Sequence, residues 1–174
     1  MPLLNSVTTP YAEAFLQVAN DLNQTEEIVS QSKEIIDLVS QSSQLNKALS
    51  SPILEKESKK KIIIQLFSDK INQSLLNLLK LLADRQRIGI LVPILERFLE
   101  LYRENSNIAL ATVTSAVELS KEQKELITEK ISAIAGTEKL ELVTKIDPNL
   151  IGGFVASVGS KVIDASLASQ IRKL

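Results

Sequence analysis

A chain of 174 residues, 44% of them hydrophobic, can bury one sizeable core or two small ones. Its 20 basic and 21 acidic residues are interspersed and leave a net charge of −1, so the counterion release behind nucleic-acid binding has no source, and no nucleic-acid partner is expected. The sequence has neither Cys nor His, which removes disulfides, thiolate chemistry, most zinc sites and Ser-His-Asp triads and leaves an enzyme only carboxylates, Lys, Arg or Tyr to work with.

The opening Met-Pro-Leu-Leu-Asn-Ser lacks the basic region and apolar run of a signal peptide. No window approaches the roughly 20 apolar residues that span a bilayer, so attachment to a membrane is expected only through other proteins. A first helix is predicted from Thr8/Thr9, with Pro10 in its first turn, to about Leu22. Its polar residues Glu13, Gln17, Asn20 and Asp21 form only a narrow strip, so the apolar arc is wider than that of an ordinary surface helix. A second helix, opened by a Thr25 capping pattern and reaching Gln41, has one buried stripe through Ile28/Val29, Ile35/Ile36 and Val39. A short helix over Ser43–Leu49 ends before Ser51-Pro52, because the residue preceding Pro is pushed out of helical geometry. Helix four covers about Leu54–Phe67, and its Lys59-Lys60-Lys61 run reads as a solvated face balanced by Glu55 and Glu57.

Helix five, about Asn72–Asp84, repeats the anomaly of helix one: seven apolar residues leave Gln73, Asn77, Lys80 and Asp84 as a thin polar strip. After a loop at Arg85–Gly89, helix six runs from near Ile90 to Asn105 with Pro93 in its first turn. Six short helices with short connections make a bundle. At Asn105–Asn107 the period changes, placing a domain boundary near residue 106. Ile108–Val117 reads as a strand, Ser120–Gln123 as a capping box opening a helix that Gly136 ends, and Leu140–Ile146 as a second strand. An Asp147–Gly152 turn, a strand at Phe154–Val158, a Gly159-Ser160 hairpin and Lys161–Ile163 follow, and Asp164 or Ser166 caps a last helix. The fold class is therefore mainly α, a six-helix bundle over 1–105 followed by a small α+β domain over 106–174.

Gly153-x5-Gly159-Ser160-Lys161 does not make a phosphate loop, since the glycine spacing is one too long and a strand follows instead of a helix. Asp147 and Asp164 read as turn and cap residues ahead of a carboxylate pair. No catalytic, cofactor or metal site is expected. The two over-wide apolar helices either lie centrally in the bundle or border an exposed groove, and such a groove fits an amphipathic partner helix.

Five motifs in this order resemble the delta-subunit family of bacterial and chloroplast F-type ATP synthases, the counterpart of the mitochondrial oligomycin-sensitivity-conferring protein. They are Tyr11–Phe15, Ser51-Pro52 ahead of a Lys-rich helix, Leu78–Arg87, Thr112–Ser120, and Asp147–Gly153 running on through Gly159 to Val162–Ser166. The resemblance covers essentially the whole chain. One departure is Gln86 and Arg87, near where the family usually has Asn-Gly. The resemblance implies a non-catalytic stator subunit without cofactors, peripheral on the cytoplasmic or stromal side of an energy-transducing membrane (bacterial plasma membrane or thylakoid). It implies that the N-terminal domain holds the alpha-subunit N-terminal helix and that the C-terminal domain holds b-type stalk subunits. The alpha helix would enter a groove between helices one and five, which maps here to Tyr11, Ala14, Phe15 and Val18 opposite Leu75, Leu79 and Leu82. The alternative on the residues alone is a generic helical adaptor for some other amphipathic helix.

Overall fold

The computed structural model describes residues 2–173. The chain divides into two compact units, Met1–Tyr102 and Arg103–Leu174. The first contains α1 (Pro2–Asp21), α2 (Thr25–Gln41), α3 (Ser43–Ser50), α4 (Lys56–Phe67), α5 (Gln73–Asp84), a 3-10 turn at Ile88–Ile90 and most of α6 (Leu91–Asn105). The second contains β1 (Ala109–Ser115), α7 (Lys121–Ala135), β2 (Leu140–Ile146), β3 (Phe154–Val158), β4 (Lys161–Asp164) and α8 (Leu167–Arg172). The expected class, helical first and α+β second, is the observed one.

The first helix departs most from expectation. It begins at Pro2, and Pro10 lies inside it. Pro2 takes the first-turn position where a missing N–H costs nothing, whereas Pro10 leaves the Ser6 carbonyl without its in-helix donor. Packing holds the turn before Pro10: Thr8 is buried, and the Thr9 hydroxyl accepts a hydrogen bond from Arg97 Nε of α6 at 3.3 Å. Thr25 is not a cap either. It is the first residue of α2, and its hydroxyl donates to Asn20 Oδ1 at 2.7 Å. Helix four starts at Lys56, because Glu55 is still extended after the Ser-Pro segment. The Lys59–Lys61 run does not form one solvated face: Lys59 is buried along its stem and Lys60 pairs with Asp84 of α5, leaving Lys61 exposed.

The bundle core is built from the inner faces of these helices, with Ile28, Ile35, Ile63, Leu75, Leu79, Leu82, Ile94, Leu95 and Phe98 almost wholly enclosed. Leu75, Leu79 and Leu82 are spaced by four and three residues, so they fall on one side of α5 and bury that side completely.

In the second unit the strand order is β2-β1-β3-β4. β1 pairs in parallel with β2 through the α7 crossover and antiparallel with β3, and β3 turns back on β4. Alternation along the strands sends Ala111, Val113 and Ala156 to the face packed by Ile127 and Ile131 of α7. Leu126 and Ile134 of the same helix are exposed. The capping box at Ser120 and Gln123 is complete, and Gly136 ends α7 in the left-handed conformation at φ 68°. β1 stops at Ser115, whose hydroxyl bonds the Val117 carbonyl and turns the chain before Val117. Ser166 is the residue that caps α8.

Candidate functional site

The first unit has an open apolar groove of about 290 Å³ between α1 and α5. Tyr11, Ala14, Phe15 and Val18 form its α1 wall, and Ser74, Asn77, Leu78 and Leu81 form its α5 wall. On α1 the spacing of three and four residues aligns these side chains along one face. On α5 the residues 74, 77, 78 and 81 make the corresponding stripe, one residue out of phase with Leu75, Leu79 and Leu82.

Four of the seven residues expected here, Tyr11, Ala14, Phe15 and Val18, therefore line one wall together. Leu75, Leu79 and Leu82 are at 0% exposure in the bundle core and offer no surface to a partner. Leu78 and Leu81 stand in their place, with Leu81 44% exposed, matching Val18 at 44% across the groove. The signal that separates the two leucine stripes is the pair Ser74 and Asn77. Both are polar and incompletely buried, and they mark the side of α5 that faces water.

Phe15 forms the floor. It is only 5% exposed, and its ring meets Phe98 of α6. Tyr11 is fixed at the rim by Arg87, whose guanidinium lies 5.7 Å from the ring centroid and whose Nη1 donates to the Tyr11 hydroxyl at 3.0 Å. The stripe also continues toward the start of α1, where Leu4 and Val7 are each 37% exposed.

The second unit has its own apolar hollow of about 330 Å³. It lies between the β1–α7 connection (Val117, Leu119), α7 (Leu126, Ile127) and the Gly153–Phe154 entry to β3. The glycines there serve backbone geometry. Gly153 has φ +74°, and a Cβ on it would stand 2.3 Å from the Ala165 carbonyl oxygen. The two carboxylates nearby act as turn acceptors. Asp147 Oδ1 takes the backbone N–H and side-chain amide of Asn149, both at 3.0 Å, and Asp164 Oδ1 takes the Ser166 N–H at 2.9 Å and its hydroxyl at 2.6 Å. Those bonds to Ser166 hold the Asp164 carboxyl below its ordinary range.

The chain is thus a helical bundle with an open apolar groove, joined to a small α+β unit with a second apolar hollow. The family model for the ATP synthase delta (OSCP) subunit matches residues 7–174, and the chain belongs to that family. A Prochlorococcus marinus strain AS9601 protein called ATP synthase subunit delta is 79% identical over 174 residues, which is all of this chain and 97% of the relative. The protein of the same name from strain MIT 9303 is 58% identical over the same 174 residues and 96% of its own length. Among solved structures, a chain of the Toxoplasma gondii mitochondrial ATP synthase hexamer shares the fold with a TM-score of 0.72. It is 20% identical, covering 94% of this chain and 92% of that one. The family is a peripheral-stalk component of F-type ATP synthase, structural and not catalytic.

Proposed function

We propose that the chain ties the alpha subunits of the catalytic head to the b-type peripheral stalk, so that the head resists rotation during proton-driven ATP synthesis. In this reading the N-terminal unit receives the alpha-subunit N-terminal helix in the α1/α5 groove, and the C-terminal unit holds the stalk. The observation that carries it is the open apolar groove, with Val18 and Leu81 facing water from opposite walls. An amphipathic helix laid there buries both, at roughly 25 cal/mol per Å² of apolar area before association costs. The hollow beside Val117 and Leu126 gives the C-terminal unit a comparable surface for the stalk. No helix among the described residues is long and apolar enough to cross a membrane, which fits attachment through the complex on the cytoplasmic or stromal side.

The test is titration of the full chain with a peptide of the alpha-subunit N-terminus. Val18→Asp and Leu81→Asp are each expected to abolish binding while leaving the helical CD signal and melting temperature close to wild type. Unchanged affinity in both variants would overturn the groove assignment. Recovery from cells of partners that include no ATP synthase subunit would favour a generic helical adaptor.

A further inference from the structure

The groove contains information about its occupant beyond hydrophobicity. Leu4, Val7, Tyr11, Ala14 and Val18 succeed one another by three, four, three and four residues, which is the spacing of a coiled-coil seam. From Leu4 to Val18 this seam runs about 21 Å, four helical turns, so the matching occupant is an amphipathic helix of similar length. A purely apolar seam would let such a helix slide by a turn or reverse. A cation held in place beside the seam breaks that symmetry.

That cation is Arg87. Helix α5 closes with Gln86 in the left-handed conformation at φ 56°, the Arg87 N–H bonding the Leu82 carbonyl at 2.7 Å and the Gln86 N–H bonding the Ala83 carbonyl at 3.0 Å. This is a Schellman closure, and it fixes where the Arg87 side chain leaves the backbone. The side chain then lies over Tyr11 and donates one hydrogen bond to its hydroxyl. A guanidinium has five N–H donors, and no carboxylate among the described residues takes the others. Asp84, the closest acid in sequence, is engaged by Lys60. Arg87 is thus held at the groove rim, oriented by Tyr11 and without an anion.

We propose that Arg87 reads a carboxylate on the helix that fills the groove, and thereby fixes the register and direction of that helix. The proposal rests on the groove reading above. A helix covering Tyr11 takes water from the guanidinium, and an acidic side chain within reach restores the lost hydrogen bonds in charge-assisted form. Slipping by one turn moves that acid about 5.4 Å away, and a Lys at the same place meets like charge.

The experiment is a double-mutant cycle by titration calorimetry on the full chain. The probe is a synthetic peptide of roughly 25 residues from the alpha-subunit N-terminus, long enough for four turns with frayed ends. Arg87→Ala is expected to weaken binding roughly three- to tenfold, less at high salt. Changing each peptide Asp or Glu in turn to its amide should reveal one position whose loss matches that of Arg87→Ala and adds nothing to it. Arg87→Lys keeps the charge but loses the planar fork, and should recover part of the affinity. If Arg87→Ala lowers the melting temperature, the same cycle with Arg87→Lys decides. Full affinity in the Arg87 variants, or losses that simply add at every acidic position, would overturn the proposal. If Val18→Asp and Leu81→Asp still abolish binding in that case, the groove reading stands without it; if they do not, the groove reading itself has failed.

Discussion

Phe15 of α1 packs against Phe98 of α6 with ring centroids 5.1 Å apart and planes tilted by 48°. The floor of the groove is therefore also bundle core, and variants of Phe15 report on folding before they report on binding. Phe15→Ala and Leu79→Ala are expected to cost about 3–5 and 2–5 kcal/mol respectively, through lost contacts and the cavity left behind. Val18→Asp and Leu81→Asp, at half-exposed positions, should cost less than about 1 kcal/mol. Urea unfolding of the four variants separates the pairs.

Ser32 gives the opposite sign. Its hydroxyl is fully buried in α2 and has no hydrogen-bond partner. Ser32→Ala removes an unsatisfied polar group and a poor helix former together, so the bundle should gain about 1 kcal/mol. A lower urea midpoint for Ser32→Ala would contradict this.

Gln86 is an ordinary L-residue at a helix-closing position with φ 56°. Glycine takes that conformation without the Cβ penalty, so Gln86→Gly should stabilise the first unit by roughly 0.5–1 kcal/mol. The rise in melting temperature checks it, and affinity for the alpha peptide should be unchanged because Arg87 keeps its place.

Gly153 and Gly159 both have positive φ, but their surroundings differ. A Cβ at Gly153 meets the Ala165 carbonyl and Ser166 Cα, at 2.3 and 2.9 Å, whereas one at Gly159 meets nothing within 4 Å. Gly159→Ala should cost only the backbone strain of about 1–2 kcal/mol. Gly153→Ala must also push β3 away from the α8 entry. It should raise amide exchange across β1 and β3, while α1–α5 exchange as in wild type.

The Asp164–Ser166 pairing sets a pH dependence. The native carboxyl titrates below its unfolded value, so its contribution is fully present above the ordinary carboxylate range and is lost as pH falls through the lowered native value. Asp164→Asn should flatten the acid limb of stability measured between neutral pH and the acid transition. The same acid limb in Asp164→Asn and wild type would refute the assignment.

Much of this architecture is legible in the residues. The change from a period near four to a period of two after Asn107, the complete box at Ser120–Gln123 and the Gly159-Ser160 reversal each follow from local chemistry. The phase of α5 is carried only by the polar pair Ser74 and Asn77, not by the leucines. A helix with leucine at 75, 76, 78, 79, 81 and 82 has two apolar stripes, and periodicity alone cannot say which one faces the core. Neighbouring helices decide that, enclosing Leu75, Leu79 and Leu82 and leaving Leu81 half in water. The start of α1 was hidden for a similar reason: Pro10 reads locally as a first-turn residue, and only the packing of Thr8 and the Arg97–Thr9 bond hold the helix on its far side.

The first strand of the second unit, β1, lies inside the sheet, flanked by β2 on one side and β3 on the other. A pull along β1 therefore loads two ladders at once, seven residue pairs on one side and five on the other, in shear. An edge strand would instead peel away one pair at a time. The order of strands should make the sheet behave like a rivet under tension and not like a zip, holding force along β1 until it fails as a whole.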